Sequence, residues 1–479
     1  MDRLVLRPAR TFRLLAALLS PAFASLTAQT TAVGADSLPL TLDAAIASAL
    51  ATGDEARAAA LRIDVADAQV TVARAAALPQ LRINATQTHV IESARAQAVG
   101  SIFNQPNTYN TNASISQALF QGGRLTAGRR AATRLRKSAR LDETEDRADV
   151  VLDVQRAYLQ ALFASRTLDI QTSAYALAGE RVTQAEQFQR AGRAARYDVL
   201  RARVEQANIE PNVIQARGDA ELAQLELKRL INAPLDRPVK LVTVIDSALV
   251  QQMVAQAEGA SATAERAAVR SAELLAAARR DAVTAARADL LPSVGFSAQL
   301  GYLAFPVSGF PPGRGRLEPV TCPAGSTPGR VCTLQNGGWF PDRSMAFTVS
   351  LPVFDGFRAK GNIELARAQA RLAELDLARE RERVRIEVAS ARENLERAKS
   401  LYSARRQTVS EADEAFRLAS LRFARGLGTQ LEVSDAQLAL VTAQMTEARA
   451  IYDLYLAAAS LSRALGAPIP EPEGVRAPN

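Results

Sequence analysis

The feature that most limits how this chain can fold is a pattern that returns at one spacing. Leu119-Phe-Gln-Gly-Gly-Arg124 reappears as Val353-Phe-Asp-Gly-Phe-Arg358, 234 positions later. Arg190-Ala-Gly192 and Ala424-Arg-Gly426 are separated by the same 234 positions, and so are Asn232-Ala-Pro234 and Gly466-Ala-Pro468. Three anchors in register leave no net gap between the copies, so both must build the same unit. Upstream, Leu78-Pro79 matches Leu291-Pro292 at an offset of 213, and the difference of 21 residues locates an insertion between Pro292 and Phe354.

Each copy reads as helix, two strands, long helix, shorter helix. The first helices are expected near 41–77 and 247–289. The stretches 124–191 and 358–425 contain no Pro and little Gly. Helices of that length would run to about 100 Å at 1.5 Å per residue. No isolated helix of this kind is stable without lateral support, and the sustained Ala-rich pattern with Leu, Val and Ile three and four apart predicts coiled-coil packing. Pro211 predicts an interruption in the shorter helix of the first copy. Gly192 and Gly426 end the long helices, where a left-handed residue reverses the chain.

The strand pairs have period 2. Val294, Phe296, Ala298, Leu300 and Tyr302 alternate with Gly295, Ser297, Gln299 and Gly301, and Met345, Phe347, Val349 and Leu351 repeat the pattern. Strands are expected near 80–90, 107–120, 293–303 and 344–354, each with one apolar face. Their length is that of a tilted strand crossing a bilayer, although strands alone also suit a soluble sandwich. Four strands cannot close a roomy barrel, and open edges cannot lie in lipid. Strands that enter a membrane must therefore be pooled from several chains.

The amino terminus is a secretory signal: Arg3, Arg7, Arg10 and Arg13, then Leu14-Leu-Ala-Ala-Leu-Leu19, then an Ala22-Phe-Ala24 cleavage site. Beyond it no run of 18 apolar residues predicts a spanning helix. Cleavage lowers the formal charge from +8 to about +5, and so small a surplus in an exported protein argues against nucleic acid. The only cysteines, Cys322 and Cys332, lie in the Pro- and Gly-rich insertion. In an oxidising compartment they are expected to form a disulfide, closing a small loop worth about 3 kcal/mol of unfolded-state entropy. The single histidine, His89, has no ligand or nucleophile pattern beside it, and no phosphate loop, dinucleotide fingerprint or metalloprotease motif occurs. An enzyme, a cofactor and a metal site are not expected.

The duplicated Leu-Pro before a strand, Phe120-Gln-Gly-Gly-Arg124 and Phe354-Asp-Gly-Phe-Arg358 after one, and the turns Gly192-x5-Asp198-Val-Leu and Gly426-Leu-Gly-Thr-Gln-Leu-Glu432-Val-Ser-Asp435-Ala together resemble the TolC family of outer-membrane efflux proteins. The resemblance covers roughly residues 38–468. It implies a mainly α fold with a small β part, built from a duplicated unit of helix, β-hairpin and helical hairpin. It further implies a homotrimer whose twelve strands form one outer-membrane barrel, continued by a periplasmic coiled-coil α-barrel. Such a chain would be a passive exit duct in the outer membrane, in contact with its lipid. It would conduct substrates handed over by an inner-membrane transporter and a periplasmic adaptor, in efflux or in type I secretion. A non-channel periplasmic adaptor and a structural coiled coil of the envelope are the alternatives.

Glu432 and Asp435 lie three apart on one helical face just after the second turn. A solvated first-turn pair is one reading. The resemblance implies the other, that they face the pore at its narrow periplasmic mouth, six carboxylates to a trimer. It also implies that Asp198, at the matching place in copy one, locks the closed mouth with an Arg and a Tyr. The chain has Gly428 and Phe423 at those two positions, so that lock cannot form, and Arg193, Arg196 and Arg425 are the candidate substitutes. The turns at Gly192 and Gly426 are the implied adaptor contacts. The basic run Arg129, Arg130, Arg134, Arg136 and Lys137 suits a solvated face or inner-leaflet headgroups. The expected organisation is a signal at 1–24, a first repeat at 25–237, a second at 238–468 with a loop insertion at 304–343, and a flexible tail at 469–479.

Overall fold

The computed structural model describes residues 38–99, 107–243, 254–255, 259, 266–306, 316–320, 332–336 and 338–466. The expected signal, the expected tail and Cys322 lie outside the described residues, and the side chain of Cys332 is not described. Among the described residues no helix is long and apolar enough to cross a membrane.

In chain order the elements are β1 (Leu38–Leu40), α1 (Leu42–Thr52), α2 (Asp54–Ala75), β2 (Gln80–His89), α3 (Ala94–Val99) and β3 (Asn107–Gln121). The first helical hairpin follows as α4 (Arg124–Arg190) and α5 (Arg196–Leu230), and then β4 (Val239–Leu241). The second copy supplies α6 (Ala267–Arg287), β5 (Ser293–Ala304), β6 (Arg316–Val320), β7 (Cys332–Asn336), β8 (Phe340–Ser350), α7 (Arg358–Ala424) and α8 (Gln430–Ala464). The long helices α4 and α7 both have 67 residues, and their return helices α5 and α8 both have 35.

Several expectations need correction. The first helix of copy one is not continuous over 41–77 but breaks at Gly53, whose extended ψ ends α1 and starts α2. The last membrane-length strand occupies Phe340–Ser350, four residues earlier than 344–354, because Pro341 and Asp342 still pair with Tyr302 and Gly301. The insertion 304–343 is not all loop: β6 and β7 form an antiparallel hairpin in register Arg316 to Asn336 and Val320 to Cys332. Pro211 sits within an unbroken α5. Of the basic run, Arg130 stays exposed and Arg134 and Arg136 are half-buried, and all three pair with acids of neighbouring helices. Asp281 of α6 lies 3.3 Å from Arg130 and 2.6 Å from Arg134, and Asp67 of α2 lies 3.3 Å from Arg136.

The helices pack as two layers of length along a shared pair of long rods. In the half nearer the strands, α4 packs against α2 and α6, and α6 against α7; in the far half α4 packs against α5 and α8, and α8 against α7. Each contact is antiparallel, as the pairs Arg134–Asp281 and Ser138–Ser271 show for α4 with α6. The buried positions of α4 are dominated by Ala157, Ala161, Ala164, Ala174, Ala178 and Ala185. Small side chains on successive turns let these rods approach closely along most of their length.

Where the two layers meet, the apolar core thickens. Leu40, Ile46, Val154, Leu227, Leu395, Tyr455 and Leu461 belong to one buried cluster there. β1 and β4, the starts of the two copies, pair in parallel beside it. Tyr158, fully buried, donates from its hydroxyl to Leu40 O at 2.8 Å and accepts from the Thr243 N–H at 3.2 Å. It thus ties both strands to α4. Tyr158→Phe keeps the ring and orphans the Thr243 N–H, while Leu40 O keeps the Val242 N–H at 3.1 Å, and is expected to cost about 1–3 kcal/mol, read as a lowered thermal midpoint in detergent. Gly53→Ala would drive a Cβ into the Ala49 carbonyl and to 3.2 Å from Leu230 O. It is expected to cost about 1–3 kcal/mol by overpacking, with increased protease cleavage near the α1–α2 joint as a second readout.

Candidate functional site

β2, β3, β5 and β8 form one sheet in the order β2-β3-β5-β8, every neighbour antiparallel. Register aligns the alternating pattern across all four strands. Leu81, Ile115, Ala298 and Met345 stand in one row, and Ile83, Ala113 and Leu300 in the next, which Arg343 completes on β8. Among the described residues this face is largely uncovered, with Met345 80% and Ile83 76% exposed. Arg82, Ser114, Gln299 and Ser344 make a row on the opposite face, with Asn84, Asn112 and Gly301 beyond it. Asn84 donates to Asn112 at 3.2 Å and Gln299 to Asp342 at 3.2 Å on that side. Gly301 is required there, since a Cβ would lie 2.6 Å from Thr111 O. An apolar face bare of protein and a polar face opposite it define a sheet with lipid on one side and water on the other.

Below the sheet, each strand-to-helix joint turns on left-handed residues: Gly122 and Gly123 before α4, Gly356 and Phe357 before α7. Phe357 replaces the Gly123 of copy one and adopts φ 66°, with its ring edge-on to Phe354 at 5.6 Å. Asp355 accepts from the Ala359 N–H at 2.7 Å and caps the new helix. His89 sits at the end of β2, its ring nitrogen 2.8 Å from Asn107 Oδ1.

At the opposite end the two hairpins turn side by side. Gly192 and Gly426 take φ 72° and 73°. Arg193 N–H donates to Phe188 O and Leu427 N–H to Arg422 O, each at 2.8 Å, so both turns close by the same pair of reversed bonds. Phe188 and Phe423 meet across the hairpins with ring centroids 6.2 Å apart.

The matching carboxylates Asp198 and Glu432 do different work. Asp198 Oδ2 accepts from its own helix start, the Ala195 N–H, at 2.9 Å. In copy two the reciprocal half of that cap is used instead: Thr429 Oγ1 accepts from the Glu432 N–H at 3.3 Å. Glu432 is thereby released from capping, and its nearest cation is Arg422 at 3.7 Å, both side chains about half exposed. Asp435 is exposed one turn further on. Within one chain, among the described residues, none of Arg193, Arg196 and Arg425 forms an ion pair with Asp198. Arg193 instead lies over the Phe188 ring at 5.0 Å.

Reading the sequence missed a charged junction midway along the molecule. Arg266, at the start of α6, donates to Glu145 at 3.0 Å and to Glu387 at 2.6 Å, with its side chain 4% exposed. Arg463, near the end of α8, reaches Glu387 at 3.0 Å and Asp149 at 2.5 Å. Burial pushes the Asp149 carboxyl above its ordinary range, against the pull of Arg266 and Arg383. The available signal was the offset itself, because Arg463 repeats Arg229, which bonds Glu226 and Glu55 in copy one.

A membrane-length sheet with one apolar face, continued by paired helices about 100 Å long, is the architecture of an outer-membrane channel protein. The chain belongs to the outer membrane efflux protein family, whose model matches residues 45–233 and 260–467. It is similar to the toluene efflux pump outer membrane protein TtgF of Pseudomonas putida, 24% identical over 408 residues covering 83% of this chain and 77% of the relative. It is also similar to the outer membrane efflux protein BepC of Brucella suis, 22% identical over 93% of this chain and 89% of that one. The outer membrane protein VceC of Vibrio cholerae superposes with a TM-score of 0.69 at 19% identity, over 89% of this chain and 96% of that chain. The protein is therefore an exit duct of the outer membrane that extends into the periplasm. Neither the adaptor nor the structural coiled-coil alternative fits that membership.

Asp198→Ala is expected to raise amide exchange in the first turn of α5, a loss of about 1 kcal/mol typical of a removed cap. Glu432→Ala should leave the first turn of α8 protected, since Thr429 caps it.

Proposed function

We propose that three copies of this chain pool their sheets into one twelve-stranded barrel and their helices into one periplasmic tube. The observation that carries this reading is the pair of bare edges: β2 and β8 are the ends of the sheet order. In lipid each unpaired N–H and C=O costs several kcal/mol, so β8 of one copy must pair with β2 of the next. The helical layer has matching free flanks. Among the described residues α7 packs chiefly against α6 and α8, and Leu365, Leu372 and Ile386 stay exposed on it, while Leu61, Val65 and Val72 stay exposed on α2 at the other border.

In that assembly the duct is passive. Energy and substrate choice reside in an inner-membrane transporter, and a periplasmic adaptor joins the two at the turns of Gly192 and Gly426. Glu432 and Asp435 ring the mouth with six carboxylates, which attract cations and repel anions in a narrow, low-dielectric passage. Asp198 supports the mouth by holding the start of α5. The insertion between β5 and β8 lies on the extracellular side, where a Cys322–Cys332 disulfide closes it.

Purified protein is expected to migrate as a trimer and to conduct in planar bilayers; monomeric, non-conducting protein would refute the reading. Glu432→Gln with Asp435→Asn should lower the K+ to Cl− permeability ratio several-fold while the trimer persists. Native protein should resist maleimide labelling until reduced, and then take two labels per chain.

A further inference from the structure

Between the two helical hairpins, close to their turns, lies a cavity of about 530 Å3. Leu177 and Arg181 of α4, Phe416 and Phe423 of α7, and Gln430 and Val433 of α8 line it. Two of its polar atoms are shielded from solvent and have no acceptor: Arg181 Nη2 and Gln430 Nε2. Both are donors, so what the cavity lacks is an acceptor.

The carboxylate whose charge acts on Arg181, Glu205, gives its Nη2 no hydrogen bond. Glu205 accepts from Arg201 Nε on one oxygen at 3.1 Å and from Ser434 Oγ on the other at 2.8 Å. Arg181 is left with the face of Phe416, its guanidinium carbon 5.4 Å from the ring centroid. Burial pushes its pKa down, with Glu205 opposing only in part. Glu180 is the one other ionisable group on the lining, and it makes no ion pair with Arg181 among the described residues. A partly desolvated guanidinium with an unsatisfied N–H is unfavourable, and a planar fork beside a primary amide matches the two oxygens of a carboxylate. Leu177, Phe416 and Val433 give part of the wall an apolar character suited to the stem that carries it, with Thr183, Gln184 and Ser420 among the polar remainder.

We propose that this cavity is a carboxylate-binding site, in which Arg181 and Gln430 donate to an Asp or Glu side chain of the periplasmic adaptor. This rests on the reading that the adaptor meets the duct at the two turns. Phe423 lies three residues before Gly426 and Gln430 four after it, so a partner that reaches the turns reaches the cavity mouth.

The test uses the full chain in detergent and propionate, which carries a carboxylate on a two-carbon stem. Saturation-transfer NMR is expected to give saturable binding to wild type. Arg181→Gln should weaken it at least tenfold, Gln430→Ala less, and Arg181→Lys should restore part of it. Arg190→Gln, close to the turn but outside the cavity, should leave it unchanged. Unaltered trimer mobility and thermal midpoint for each variant exclude misfolding. Absence of propionate binding, or equal binding to Arg181→Gln, overturns the proposal and leaves the cavity to water. In the second arm, acid-to-amide variants of the adaptor are titrated against wild type and Arg181→Gln. One adaptor position should lose at least tenfold against wild type and nothing against Arg181→Gln, the signature of a coupled pair. An adaptor that binds both forms equally overturns the assignment of its side chain to this site. An adaptor that fails to bind wild type at all overturns the docking reading instead, and the propionate result separates the two failures.

Discussion

Hydrogen bonding at the ends of a four-stranded sheet governs everything else in this molecule. Inside one chain the β2 and β8 edges are bare, and water can satisfy them only while the sheet stays out of lipid. The apolar row from Leu81 to Met345 drives the sheet into lipid. These two demands conflict in a monomer and are both met by a ring of copies. The same requirement then descends through the helices: if the sheets close into a cylinder, the rods rooted in them must stand around the same axis. That explains why α4 and α7 leave their strands through left-handed joints at equivalent places, with Phe357 tolerating a conformation that Gly123 adopts freely.

In the proposed tube, a wall one helix thick has little interior in which to bury large side chains. Stability must come from many close contacts of small ones, which is why Ala dominates the buried positions of α4 and why aromatics are scarce. Only where the two helical layers meet does a thicker core form, around Tyr158. There the helix ends of α6 and α8 also meet, with unsatisfied backbone groups and charge to accommodate. The Arg266 and Arg463 network answers this by satisfying Glu145, Glu387 and Asp149 together, and Glu145 further accepts the Ala268 N–H at 3.0 Å. Removing any one partner would strand the others in a poorly solvated place.

Much of this architecture was legible because it is periodic. The offset of 234 aligned the helix pairs to the residue, and period 2 identified which face of each strand was apolar. What escaped was set by single contacts between distant segments. Gly53 breaks a helix whose Ala-rich sequence continues on both sides, because the chain there packs against the end of α5. The partners of the Arg130, Arg134 and Arg136 run, Asp281 and Asp67, lie far along the chain and could not be read from the run itself. The roles of Asp198 and Glu432 were hidden for a similar reason. Both are acids at one repeat position, and only the difference between Ala195 and Thr429 three residues earlier decides which of them caps its helix.

That difference has a functional consequence. Duplication gives two equivalent helix starts beyond the turns, and the mouth proposed there needs charge facing the passage and rigid helix ends behind it. A carboxylate engaged by its own backbone carries less of its field outward, because its N–H partner compensates it. By capping α8 with a hydroxyl, copy two frees Glu432 and leaves Asp435 beside it, so negative charge collects on one hairpin while the other is held firm by Asp198. The unpartnered Arg181 lies between these hairpins. Its position makes the seam between them, rather than either helix alone, the place where an added anion would change how the two are held relative to each other.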